Sequence, residues 1–268
     1  MRRCRISLWQ PHPGSKLTRL PCDNQPFKPD TGSQKFVQTE AVKRHSLRDK
    51  EAAVAALLLV TYRQQGALAG LQKKMITFVK PGPENASDTL DHALQAAAAK
   101  GIQSVVLASN SGQTAFMLLD KIKKVSPAQT FRPVIVTHVC EFKQGTVQEL
   151  SDIDRRKLES EGCRVVTAAH ALSAGERSFS STFGGTSRLE VTAHTLRLFG
   201  QGTKVALEIG LMARDAGAIK PGEPVIAIGG SGRGADTAII LTPGTSSSLL
   251  SSQIHEIICK PGLYKGDE

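Results

Sequence analysis

From residue 75 onward, short apolar runs alternate with stretches of helical periodicity, and Gly- or Pro-rich turns separate them. The runs at 76–79, 102–108, 134–137, 164–168, 225–228, 238–242 and 254–259 predict strands. The run at 102–108 is apolar almost throughout, as a central strand buried on both faces requires. Between the strands, Leu90, Leu94, Ala97 and Ala98 fall on one face of a helix that runs to Lys100 and ends at Gly101. Asn85 or Ser87 is positioned to cap its start. Ala115, Leu118, Leu119 and Ile122 recur at i, i+3, i+4 and i+7 and predict a second helix. A third spans 151–161, with Asp152 and Asp154 in its first turn and Gly162 after it. Two more are predicted near 187–199 and 203–216, the first opened by a Ser187-x-x-Glu190 capping box. Residues 245–252, rich in small polar side chains, read as a loop. Strands alternating with helices predict a three-layer α/β sandwich around a mostly parallel sheet, with right-handed crossovers.

Residues 1–74 have a different texture. Pro11, Pro13, Pro21 and Pro26 interrupt any helix, and no apolar period is sustained before a candidate helix at about 47–65 that carries the apolar run 52–60. The expected organisation is therefore a largely disordered basic extension at 1–74 and an α/β domain at 75–268. Met75 stands immediately before the first strand, so an upstream start is one reading of the extension. The first 22 residues hold Arg2, Arg3, Arg5, Lys16 and Arg19 and no acid, the charge bias of an organelle transit peptide without its amphipathic helix.

Charge changes the picture less than its total suggests. The net charge is +10, but residues 1–50 hold 11 Lys/Arg against 4 Asp/Glu, and the other 218 residues contribute only +3. Aromatic residues are 4% of the chain, too few for stacking platforms that grip single-stranded nucleic acid. A dedicated nucleic-acid domain is not expected. No apolar run approaches the roughly 18–20 residues that span a bilayer, so no membrane partner is expected. Five scattered cysteines, with no Cys-x-x-Cys pair, argue against a zinc knuckle or disulfide framework and for a reducing, cytoplasmic compartment, with organelle import as the alternative if the extension is a transit peptide. No metal is expected. Gly-x-Ser-x-Gly and His-Glu-x-x-His are also absent, so serine hydrolase and zincin chemistry lack their motifs.

Two loops are candidates for binding an anion. After the second strand, Ser109, Asn110, Ser111, Gly112, Gln113 and Thr114 offer hydroxyls, a glycine and the free N–H groups of a helix start; the same pattern is ordinary helix capping. After the fifth strand, Gly229, Gly230, Ser231, Gly232, Arg233 and Gly234 place four glycines and a guanidinium in six residues; the alternative is a flexible hairpin turn. Lys80, Gly82, Glu84 and Asn85 occupy a third loop, after the first strand. His138 and His170 follow the third and fourth strands, where open α/β sheets bind ligands. Each is a candidate base or phosphate partner, or merely a strand-end cap, and no acid that would orient either is identifiable. Glu176 and Arg177 read as an exposed ion pair.

Several long segments resemble a known family. Ser104-Val-Val-Leu-Ala-Ser-Asn-Ser-Gly-Gln-Thr-Ala115 is similar to the strand, phosphate loop and helix of the pyruvate kinase C-terminal α/β domain, and Pro133-Val-Ile-Val-Thr-His138 to its next strand. Lys80-Pro-Gly-Pro-Glu-Asn85, Thr167-Ala-Ala-His-Ala-Leu-Ser173, Thr195-Leu-Arg-Leu-Phe-Gly-Gln-Gly202 and Ile228-Gly-Gly-Ser-Gly-Arg-Gly-Ala-Asp-Thr237 resemble the hallmarks of stand-alone proteins built on that domain. The resemblance covers about residues 75–261 and leaves 1–74 without a counterpart. It implies a pyruvate kinase C-terminal-like fold without the kinase's catalytic (β/α)₈ barrel, which alone takes roughly 250 residues. It also implies a phosphorylated small molecule held by the loops at 109–114 and 229–234, with flavin mononucleotide (FMN) the candidate. Gln113 stands where effector-binding kinases often carry a basic residue, which argues against a sugar bisphosphate. The expected function is a sensor or regulatory binding protein rather than pyruvate kinase catalysis. The alternatives are an enzyme acting on that ligand through His138 or His170 and, more weakly, a partner-binding or subunit-contact module. A homo-oligomer is left open.

Overall fold

A computed structural model describes residues 75–125 and 130–262. The expectations for residues 1–74, including the candidate helix at 47–65, lie outside the described residues.

Among the described residues seven strands form one sheet: β1 (Ile76–Phe78), β2 (Ser104–Ala108), β3 (Arg132–Thr137), β4 (Arg164–Thr167), β5 (Val225–Gly229), β6 (Thr237–Thr242) and β7 (Gln253–Pro261). Their spatial order is β1-β7-β6-β5-β2-β3-β4. The pairs β1–β7, β5–β2, β2–β3 and β3–β4 are parallel, while β6 runs antiparallel to both its neighbours. Every strand except β6 therefore ends at the same edge of the sheet.

Among the described residues there are six α-helices: α1 (Ala86–Lys100), α2 (Gln113–Lys124), α3 (Asp152–Ser160), α4 (Ala174–Phe183), α5 (Arg188–Arg197) and α6 (Gln201–Asp215). Strand side chains alternate between two cores, and this alternation makes the three layers. Val105, Leu107, Ile226 and Ile228 face a cluster with Leu90 and Leu94 of α1, Leu118 of α2 and Leu158 of α3. Val106, Val134, Val225 and Ala227 face the opposite way, onto Leu207, Leu211 and Met212 of α6.

Helix α6 lies close to the sheet because its contact row is small. A Cβ on Gly210 would come 2.5 Å from Leu241 Cδ2, and one on Gly229 of β5 would come 2.5 Å from the Gly202 carbonyl oxygen.

Several local expectations need correction. Helix α4 was not expected. Its Gly, Ser and Thr content gives it poor intrinsic helicity, and it buries no residue, so no apolar period marks it. Residues 246–251 are not a plain loop but form a short 3₁₀ helix. The Asn85 side chain does not cap α1; it donates instead to the Lys80 carbonyl oxygen at 2.8 Å. Glu176 does not pair with Arg177 but accepts the Leu189 N–H at 3.0 Å, at the start of α5. The Ser187–Glu190 capping box is present.

Candidate functional site

Strands β2 and β5 lie side by side, Leu107 opposite Ile228, yet the chain leaves β2 toward β3 and β4 and returns on the other side as β5. This is a topological switch point, where open α/β sheets form a ligand crevice. The loops at 109–114 and 229–234 both start there.

In the first loop the Ser109 hydroxyl is already engaged. It is buried and accepts the Ala115 N–H at 3.3 Å, so it secures the first turn of α2. Gly112 adopts φ 88°, and a Cβ there would come 3.0 Å from Leu150 Cδ1. Its small size therefore leaves room for the Leu150 side chain. Ser111 and Gln113 are exposed, with Asn110 and Thr114 half-buried. The Gln113 and Thr114 N–H groups, in the first turn of α2, have no partner among the described residues.

The second loop is the turn of the β5–β6 hairpin, closed by the Asp236 N–H on the Gly229 carbonyl oxygen at 3.1 Å. Asp236 is fully buried. Its carboxylate accepts the Ser231 N–H at 3.1 Å and the Thr237 hydroxyl at 2.8 Å, which braces the loop from inside. Gly230 packs against the Gly234 carbonyl. Gly232 sits at φ 115° with open space where a Cβ would lie, and Arg233 is exposed with no acidic partner among the described residues. A Cβ on Gly234 would come 2.5 Å from Pro83 Cα, so this hairpin abuts the loop that holds Lys80, Gly82, Glu84 and Asn85. Lys80 and Glu84 are exposed. Three of the expected loops thus converge.

The histidines form a second zone over β3 and β4. Strand spacing places it roughly 10 Å from the β5 loop. His138 Nδ1 lies 2.7 Å from Glu149 Oε1. Glu149, whose side chain is 14% exposed, also pairs with Lys143. Burial works against its ionisation, but the bonds from Lys143 and His138 outweigh this and hold the carboxyl below its usual range. Glu149 is thus the orienting acid not found in the sequence; it lies 11 residues on, in an irregular segment where no spacing rule marks it. The His138 and His170 rings meet edge-on at a centroid distance of 5.4 Å, and Phe142 packs on both. Burial pushes the His170 imidazole below its ordinary range, against the pull of Glu208 and with His138, Lys204 and Arg177 adding to the fall.

Lys204 and Glu208, one turn apart on α6, form a buried ion pair beneath this zone. Glu208 also accepts the Leu172 N–H at 3.1 Å, in the segment that follows His170. The sequence does carry a sign of this pair, two charges inside an otherwise apolar helix. Cys163 and Cys259 are buried thiols pushed up to about 11 by desolvation. Among the described residues no group of His, Cys, Asp and Glu is arranged to hold a metal, and no helix is long and apolar enough to cross a membrane.

A mostly parallel seven-stranded sheet with helices on both faces and glycine loops at its switch point defines an α/β sandwich. The sequence model described as "Pyruvate kinase, alpha/beta domain" matches residues 87–241, more than half of the chain, and includes both loops and both histidines. The chain belongs to the pyruvate kinase α/β domain family. The described residues build no (β/α)₈ barrel.

Proposed function

We propose that this protein binds a phosphorylated small molecule at the carboxyl edge of the sheet, between the loops at 109–114 and 229–234, and works as a sensor or regulatory protein. The observation that carries the reading is the placement of both loops at the β2/β5 switch point, with open N–H donors on α2 and an exposed guanidinium on the hairpin. The chemistry is that of a phosphate cradle, with backbone donors for direction and Arg233 for charge. FMN is the ligand we name, on family resemblance. Pyruvate kinase catalysis is not part of the reading, since no barrel accompanies the domain among the described residues. Titration of the full chain with FMN, followed by flavin fluorescence, tests it. Arg233→Ala is expected to weaken binding roughly 10- to 100-fold, the worth of one charge-assisted hydrogen bond, and to leave the unliganded melting temperature unchanged. Equal affinity would remove Arg233 from the site. No FMN or inorganic phosphate binding by the wild type would overturn the reading. Gly232→Val is a weaker probe than its bulk suggests, because the space around it is open and only its positive φ resists.

The His138–Glu149 pair favours a second reading, an enzyme acting on that ligand. A carboxylate on Nδ1 leaves Nε2 free to take a proton, with the His170 ring beside it. Under this reading FMN is chemically altered on incubation, as followed by phosphorus-31 NMR, and His138→Ala binds FMN normally but leaves it intact. An unchanged spectrum with the wild type removes this reading for FMN and leaves the first one standing.

A further inference from the structure

Three consecutive residues join the loop at 109–114 to the histidine zone. Gln148, Glu149 and Leu150 end the irregular segment that follows β3, after seven exposed residues at 141–147. The neck of that segment is closed by the Glu141 N–H on the Val147 carbonyl oxygen at 2.9 Å. Each of the three residues grips a different part of the edge. The Gln148 amide donates to the His138 carbonyl oxygen at 3.2 Å, and its own oxygen accepts the Glu149 N–H at 2.7 Å. One oxygen of the Glu149 carboxylate meets His138 Nδ1 at 2.7 Å, and the other pairs with Lys143. Leu150 is 1% exposed and packs in the core, its Cδ1 3.0 Å from where a Cβ on Gly112 would lie. The next residue, Ser151, caps α3 by accepting the Asp154 N–H at 3.0 Å.

We propose that residues 148–150 form a strut, and that Gly112 and Leu150 are positioning residues that act through Glu149 to fix which nitrogen of His138 carries the proton. In a neutral histidine the tautomer is set by the hydrogen bonds that the ring nitrogens make. An ionised carboxylate can only accept, so Glu149 holds the proton on Nδ1 and leaves Nε2 as an acceptor. That hold is short-ranged, because a shift of about 1 Å takes such a contact out of hydrogen-bond range. The place of the carboxylate depends in turn on its neighbours in sequence. Gln148 ties it to the end of β3, and Leu150 ties it to the turn that opens α2. A core at native density absorbs little movement, so whatever pushes on Leu150 also pushes on Glu149. Gly112 stands at that point, at φ 88°. Leu150 alone would satisfy packing; the polar contacts of Gln148 and Glu149 serve His138 instead. The strut thus couples the loop at 109–114 to the imidazole and keeps Nε2 ready to accept from an N–H or O–H group. The ligand it suits carries such a donor beyond its phosphate. That last step rests on the proposed reading of 109–114 as the ligand loop, whereas the strut does not.

Nitrogen-15 NMR of the full chain with labelled histidine reads the tautomer directly, in alkaline solution where imidazoles are neutral. The His138 signal is assigned by its loss in His138→Gln. Wild-type His138 is expected mainly as the Nδ1–H form, and Glu149→Ala should convert it mainly to Nε2–H. Gly112→Ala is the remote test. It is expected to lose roughly half or more of the Nδ1–H form, as a displaced hydrogen-bond acceptor does. Leu150→Val, which takes one methylene from the anchor, is the second remote variant if Gly112→Ala does not fold. Gly101→Ala is the control. Its φ of 66° brings the same backbone strain, but nothing lies within 4 Å of its Cβ, so it should keep the wild-type signal. A wild type found mainly as Nε2–H overturns the proposal. An Nδ1–H signal unchanged in both Gly112→Ala and Leu150→Val overturns it too, and leaves Leu150 a packing residue only. An equal loss in Gly101→Ala would trace the effect to backbone strain and overturn it as well. No ligand enters this measurement, so its failure is separate from failure of the ligand reading, which binding of FMN or inorganic phosphate decides.

Discussion

Glu208→Ala is expected to cost the folded state about 3–5 kcal/mol, the usual cost of removing one partner from a buried ion pair. The Lys204 and Glu208 side chains are only 8% and 7% exposed, so water cannot re-solvate the ammonium once its carboxylate is gone. The same change leaves the Leu172 N–H without its acceptor. Urea denaturation of the full chain, read as a shift in midpoint at constant slope, gives the number. The double variant Lys204→Met/Glu208→Leu should recover most of the loss, since apolar groups of similar volume remove both the charge and its partner. A loss below about 1 kcal/mol in Glu208→Ala would show that the ammonium reaches solvent and that the pair is not structural.

The second large effect is Gly229→Val, at about 3 kcal/mol or more. A Cβ at this position would lie 2.5 Å from the Gly202 carbonyl oxygen and 2.9 Å from the Ala206 nitrogen. Both are backbone atoms of α6, so no flexible side chain can swing away and the whole helix must lift from β5. That movement opens the core around Leu207, Leu211 and Met212 and displaces the hairpin that carries Arg233. Stability and ligand affinity should therefore fall together, unlike in Arg233→Ala, where only affinity falls. Gly175→Ala is the control. Nothing lies within 4 Å of its Cβ and its φ is ordinary, so it should stay within about 0.5 kcal/mol of the wild type in the same denaturation series. A Gly229→Val protein as stable as the wild type would mean that α6 and β5 are packed less closely than this geometry requires.

The strands were legible because apolar runs of this length, bounded by Gly and Pro, have few other uses, and β2, β3 and β5 lie where those runs predicted. Helix α4 was not legible because hydrophobic periodicity reports burial, and α4 turns no residue inward. The reversal of β6 was marked only by its connection to β5, the hairpin-turn alternative given for 229–234, which is too short for a crossover helix. At the candidate site the glycine loops stood out by composition, but their chemistry divided in a way composition does not reveal. Ser109 and Gly112 serve the packing of α2 and Leu150, while the open donors and Arg233 face outward. Glu149 escaped for a related reason. It acts through a contact set by the path of an irregular segment, and no spacing along the chain encodes such a contact. The Lys204–Glu208 pair could have been found, because a charged pair inside the apolar face of a helix requires burial with its partner.

The edge pairing of β1 has a consequence for the order in which the site is assembled. Among the described residues only β7 pairs with β1, with Ile76 opposite Cys259 and Phe78 opposite Pro261. Partners separated by some 180 residues cannot meet until most of the intervening chain is in place, and closing so long a loop is among the entropically costliest steps in the fold. During synthesis the β2–β5 crevice can form while the last strand is still in the ribosome. The loop that holds Lys80 and Glu84 cannot be anchored at its β1 end until that strand emerges. Anchoring of that loop therefore waits on the pairing of β7, and a chain clipped before Gln253 would present the glycine hairpin without its flanking loop fixed.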